Sequence, residues 1–153
     1  MQERIFEHQI RIAAAPDAVY AILSDFRQAA RLNPLVQQIE ALPPEEARRT
    51  GYQYRITDLI PFGPFRISIR YLARTALLGG GAIRSEALQQ PNVFVSNEIR
   101  IRQDGGGTLV TERMTLRAPA LLMGMSYRMG TAAHAAAFQR LKAWLETGQP
   151  EGQ

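Results

Sequence analysis

Apolar and polar residues alternate from Glu3 to Ala13, with Phe6, His8, Ile10 and Ile12 on one side and Glu7, Gln9 and Arg11 on the other. A period of two predicts a half-buried strand. Ala15-Pro16-Asp17 then reads as a helix start, since proline suits the first helical position and an acidic residue suits the positive helix end. Val19, Tyr20, Ile22 and Leu23 supply the apolar side of that helix. A second short helix is expected over Arg27 to Leu32, stopped at Asn33-Pro34 because the residue before proline is steered away from helix. Turn signals at Pro43-Pro44, Ile60 to Pro64, Gly79-Gly80-Gly81, Gln90-Pro91-Asn92 and Asp104 to Gly107 divide the next stretch. They predict strands near residues 36–42, 51–59, 65–77, 82–89, 93–102 and 108–117. From Pro119 to Glu146 the period becomes helical, with Met123, Tyr127, His134, Phe138, Leu141 and Leu145 on one face and Gly148 and Pro150 ending the helix.

The strands agree on two faces. Ile67, Ile69 and Tyr71, then Val95, Ile99 and Ile101, then Val110, Met114 and Leu116 form an inner register. Arg66, Arg70, Arg74, Arg84, Arg100, Arg102, Arg113 and Arg117 occupy the other. An antiparallel sheet with one face covered and one solvated produces this pattern.

Composition narrows the class. The 153 residues are 46% hydrophobic and 21% charged, which suits one globular domain, expected over residues 1–147 with a tail over 148–153. Cysteine is absent, so disulfides, thiolate catalysis and thiolate metal sites are excluded. The Met1-Gln2-Glu3-Arg4 start does not resemble a signal peptide, and the apolar stretch from Ala118 to Phe138 is interrupted by Ser126, Tyr127, Arg128 and His134. A cytoplasmic location is expected. The net charge of +4 comes from 17 dispersed arginines and Lys142 rather than a basic block, so no nucleic-acid partner is expected. The arginine face could make transient contact with an anionic membrane surface or an acidic protein, or be an ordinary solvated face balanced by Glu86 and Glu98.

The run Ile10-Arg11-Ile12-Ala13-Ala14-Ala15-Pro16-Asp17-Ala18-Val19-Tyr20-Ala21-Ile22-Leu23-Ser24-Asp25 resembles the START-like superfamily, also called SRPBCC or Bet v 1-like. Leu32-Asn33-Pro34-Leu35-Val36 and Phe138 to Glu146 extend the resemblance, most closely to the polyketide cyclase/dehydrase branch. Relatives often carry a tryptophan in the short second helix, where this chain reads Arg31-Leu32-Asn33. The resemblance implies an α+β helix-grip fold, a curved antiparallel sheet of about seven strands around a long C-terminal helix. It also implies a hydrophobic cavity between them. Such relatives bind lipids, isoprenoid quinones, plant hormones or polyketides, and some are aromatases or cyclases. Fold alone does not choose among these.

An enclosed apolar pocket needs a few polar groups to orient its guest. Polar or aromatic residues on the inner register are therefore candidates: Tyr54, Tyr71, Asn97 and Glu112 on strands, and Tyr127 and His134 on the long helix. Met114 and Met123 join them, and together with Met125 and Met129 they would suit a pocket that adapts to an irregular guest, the alternative being core filler. Asp58 reads as a strand-end residue, and His8 as either packed or solvated at a sheet edge. No phosphate loop, nucleophilic triad or metal cluster is visible, and no cofactor or metal is expected. The leading expectation is binding or carriage of a small hydrophobic molecule. The alternatives are a cyclase, aromatase or dehydratase using Tyr127, His134 or Glu112, and an interaction module using the arginine face.

Overall fold

The alternating segments pair into one antiparallel sheet, with the long C-terminal helix and the two short helices after the first strand packed against it. The computed structural model describes residues 1–148. Among these, the elements are β1 (Gln2–Ile12), α1 (Pro16–Leu23), α2 (Phe26–Arg31), β2 (Val36–Ala41), α3 (Pro44–Thr50), β3 (Tyr54–Phe62), β4 (Phe65–Gly79), β5 (Ala82–Gln89), β6 (Val93–Asp104), β7 (Gly107–Ala118) and α4 (Ala120–Thr147). The sheet order is β1-β7-β6-β5-β4-β3-β2, leaving β1 and β2 as edges. This is the expected α+β, helix-grip arrangement.

Helix α4 lies mainly against β1 and β7. Its C-terminal end is fastened to the end of β1, where Lys142 donates to the Arg11 carbonyl at 2.9 Å and the Ala13 amide donates to Glu146 at 2.8 Å. Gly148 closes the helix in the left-handed conformation, at φ 76°. Pro150, expected beside it, and most of the expected tail lie outside the described residues. Under α4 and α1, Ile12, Val19, Val110 and Leu141 are fully buried. Each such side chain contributes roughly 1.5–3 kcal/mol by leaving water.

The arginine register faces outward as expected, and Arg66, Arg70, Arg74, Arg84, Arg100, Arg102, Arg113 and Arg117 are all exposed. Acidic residues pair with some of them: Arg74 with Glu86, Arg84 with Glu98 and Arg113 with Glu7 across neighbouring strands, and Arg100 with Glu98 along β6. The face is therefore only partly neutralised, since Arg66, Arg70 and Arg102 have no acidic partner among the described residues.

Three expectations are corrected. Pro43-Pro44 does not simply break the chain; it starts the extra helix α3, with Pro44 at its first position, Glu45 and Glu46 in its first turn and Arg48 and Arg49 in its last. Strand β3 continues through Pro61 to Phe62, which leaves Asp58 in mid-strand and 8% exposed rather than at a strand end. Ile67, assigned to the inner face, is 42% exposed because the β3–β4 hairpin extends past the core. Phe62 and Phe65 on that hairpin, and Leu121 and Met125 at the start of α4, are exposed too.

Candidate functional site

Glu112 lies on the inner face of β7 between Val110 and Met114 and is 3% exposed. A solitary buried carboxylate would cost several kcal/mol, about enough to unfold a marginal domain. Three donors from three different elements prevent that. His8 stands directly opposite in the β1–β7 ladder, and its Nε2 lies 2.6 Å from Glu112 Oε1. Asn97, diagonal to it on β6, donates Nδ2–H to Oε2 at 2.7 Å. His134 descends from α4 with Nδ1 3.0 Å from both oxygens. The His8 ring is itself held between Phe6 and Phe138, with centroids 4.8 Å and 4.3 Å away.

Burial opposes ionisation of Glu112, but the charge of His134 and the hydrogen bonds from His134, His8 and Asn97 outweigh it, holding the carboxyl well below the usual range. Burial pulls the opposite way on His134 too, and there the charge and hydrogen bond of Glu112, with the charge of Asp58, raise the imidazole above its ordinary value. An ionised carboxylate only accepts, so His134 donates through Nδ1–H. Its Nε2–H then has no partner among the described residues.

A second polar pair stands on the adjoining wall. Tyr71 Oη donates to Asp58 Oδ1 at 3.1 Å, diagonally across the β3–β4 ladder. Burial pushes Asp58 up to about 6, against the Tyr71 hydrogen bond and the His134 charge. Burial, then the charge and hydrogen bond of Asp58, push the Tyr71 phenol well above its usual value.

Between these walls and α4 runs a cavity of two lobes, of about 150 Å³ and 160 Å³. Leu23, Phe26, Ile56, Ile83, Ile99 and Phe138 give the first its apolar lining, with Asn97 and Glu112 as its polar side. Leu35, Ile60, Ile69, Met125 and Met129 line the second, with Asp58. Asn33, Tyr71, Ala87, Val95 and His134 border both, so the lobes meet at His134 and Tyr71. Although protein surrounds His134, 24% of its side chain is open, because the ring faces into the lobes.

Of the candidates from sequence, Tyr71, Asn97, Glu112 and His134 come together here. The other four lie elsewhere. Tyr54 stacks on Phe26 at 4.4 Å with Arg27 beside its ring. Met114 is buried next to Gly130, and Met123 joins Val93, Leu116 and Ala118 in a separate apolar cluster. Tyr127 packs edge-on against Phe6 at 6.5 Å, with Arg4 over its ring. Sequence reasoning did not identify Asp58, or His8 as the partner of Glu112. The signal for His8 was its place in the apolar register of β1, which puts an imidazole where a core side chain belongs. Among the described residues no cluster of three or more His, Asp or Glu could hold a metal ion, and no helix is long and apolar enough to cross a membrane.

A family model described as polyketide cyclase/dehydrase and lipid transport matches residues 3–146. No curated protein matches the chain in sequence. Solved structures share the fold at low identity. A Deinococcus radiodurans protein is 21% identical, with a TM-score of 0.65 over 95% of this chain and 99% of its own. A START superfamily protein from Mycobacterium smegmatis is 15% identical, with a TM-score of 0.70 over 95% and 99%. The Zhui aromatase/cyclase from Streptomyces sp. R1128 is 19% identical, with a TM-score of 0.61 over 94% and 96%.

Proposed function

The chain belongs to the polyketide cyclase/dehydrase and lipid transport family, and we propose that it binds a small apolar molecule non-covalently in the cavity between the sheet and α4. The observation that supports this is the two-lobed cavity, apolar along most of its wall and carrying hydrogen-bonded polar groups on one side. Together the lobes reach the lower end of the roughly 300–1,000 Å³ typical of ligand sites. A cavity of about 150 Å³ alone accommodates a benzene-sized guest. Met125 lines the second lobe while being exposed, which supports an entrance at the α4 start.

Native mass spectrometry of protein purified without detergent, followed by solvent extraction, tests the reading directly. A stoichiometric apolar compound is the expected result. Naphthalene titrated into extracted protein should bind, and Ala137→Phe, which fills the first lobe, should weaken that binding at least tenfold. Equal binding by both proteins, or binding of neither naphthalene nor 1-naphthol by either, would overturn the reading.

A second reading, acid–base chemistry of the cyclase, aromatase or dehydratase type, is favoured by one observation: His134, Asp58 and Tyr71 border the same lobe. Tyr127 has no part in it. Deuterium exchange into a bound 1,3-diketone, faster than in buffer and lost in His134→Gln, would support proton transfer; exchange at the buffer rate would exclude it for that substrate class.

A further inference from the structure

The polar end of the cavity has an unequal arrangement of charge and of open hydrogen-bonding atoms. Glu112 and His134 form a closed pair, since Nδ1 lies against both carboxylate oxygens and their charges cancel locally. His8, behind Glu112, fills the remaining position on Oε1. Glu86, at the rim of the first lobe, is neutralised by Arg74. Asp58 has no counter-ion in contact with it, and the His134 charge reaches it only through space. Its only hydrogen bond among the described residues comes from the neutral Tyr71 phenol and goes to Oδ1.

Two atoms are therefore left over on the wall of the second lobe. Asp58 Oδ2 is an acceptor without a donor, and it remains open to the cavity, since no fully enclosed side-chain atom lacks a partner. His134 Nε2–H is a donor without an acceptor. A guest that is pure hydrocarbon leaves both unpaired, which disfavours it. A guest carboxylate satisfies Nε2–H but brings a second negative charge to Asp58, in a site with little water to screen it. One hydroxyl answers both needs, donating to one atom and accepting from the other.

Resting on the binding reading above, we infer that the cavity selects a neutral apolar molecule carrying a hydroxyl or enol oxygen, seated between Asp58 and His134, over the same skeleton carrying a carboxylate. The ligand class is thus an alcohol, phenol or enol rather than a fatty acid or other apolar acid. Asp58 and His134 act as the specificity-determining pair. Glu112, with His8 and Asn97 behind it, is the positioning group that keeps His134 charged and turned toward the guest.

Three probes of one skeleton test this by isothermal titration: 1-naphthol, naphthalene and 1-naphthoate, first at about pH 7, above the value of about 6 to which burial pushes Asp58. The expected order is naphthol tighter than naphthalene by roughly tenfold, and naphthoate weaker than naphthalene by roughly 10–100-fold. In Asp58→Asn, checked for folding by circular dichroism, the gap between naphthoate and naphthol should narrow at least tenfold. The wild-type protein gives an independent arm. At about pH 5 Asp58 has taken up its proton while the naphthoate carboxylate is still largely ionised, so the same gap should narrow without any substitution. Binding of all three probes with equal affinity would overturn the inference and leave the binding reading intact. Failure of every probe to bind would overturn both.

Discussion

His8 and Glu112 face each other directly across the β1–β7 ladder, and the imidazole Nε2 lies 2.6 Å from the carboxylate. A charge is thus accommodated in the wall of an apolar cavity because the edge strand beside it supplies the donor. The charge in this wall of the cavity is carried by Glu112 and held by His8, Asn97 and His134 around it.

Glu112→Gln should be strongly destabilising. The substituted side chain would present an amide N–H₂ to neighbours that all donate, and it would leave His134 charged without a counter-ion. Breaking a buried pair in this way costs about 3–5 kcal/mol, readable as a lowered urea midpoint. The sign with pH follows from His134, whose folded value lies above its ordinary 6.5. Its contribution is fully present below that ordinary value and is lost as pH rises through the folded one. The penalty of the substitution should therefore be larger at about pH 6 than at about pH 9; a penalty independent of pH would contradict the pairing.

Asp58 should make the wild-type protein more stable in mild acid. Its folded value of about 6 exceeds the ordinary 3.8, so its contribution is present below about 4 and lost as pH rises through about 6. The difference corresponds to at most about 3 kcal/mol. Asp58→Asn should gain on the wild type as pH rises from about 4 to 7. Parallel stability curves for the two proteins would show that Asp58 is not held in a desolvated site.

Tyr127→Phe should change little. The ring contacts of Tyr127 with Phe6 and Arg4 survive the loss of the hydroxyl, which has no hydrogen bond among the described residues. Stability should stay within about 0.5 kcal/mol of wild type, and naphthalene affinity should be unchanged. A tenfold loss of affinity would place the hydroxyl in the site after all.

Two glycines should respond in opposite directions. A Cβ at Gly124, inside α4, meets nothing within 4 Å, so Gly124→Ala should stabilise by up to about 1 kcal/mol. A Cβ at Gly81 would lie 2.5 Å from the Ile101 carbonyl oxygen, and Gly81 has φ +77°, so Gly81→Ala should destabilise by about 2 kcal/mol or more. Thermal melts of the two variants check both signs.

Much of the fold was legible because each strand has one wet face and one dry face, which writes a period of two into the chain. The candidate site was legible only in part, for physical reasons that differ by residue. Glu112, Asn97 and Tyr71 stand out as polar groups in apolar registers. His8 could not be assigned to Glu112, because neither the neighbour of β1 nor its register is written in β1 itself. Asp58 was misplaced because Pro61 suggested a turn. Beyond Asp58, however, β3 pairs only with β4, so a residue lacking its N–H is tolerated there. Tyr127 and His134 share a helix face, but seven residues separate them by about 10 Å along the axis, too far to serve one oxygen atom.

The edge position of β1 gives the Glu112 cluster a part in folding as well. An edge strand is held from one side only; a one-residue slip would turn its apolar face to water, but a two-residue slip keeps that face inward. Slipping β1 by two residues would put Phe6 or Ile10 opposite Glu112 in place of His8. An apolar side chain would then face the carboxylate, and the Phe6–His8–Phe138 stack would be lost. Misaligned chains would lack the donor that Glu112 requires, so the cluster acts as a checkpoint that only the correctly threaded strand passes.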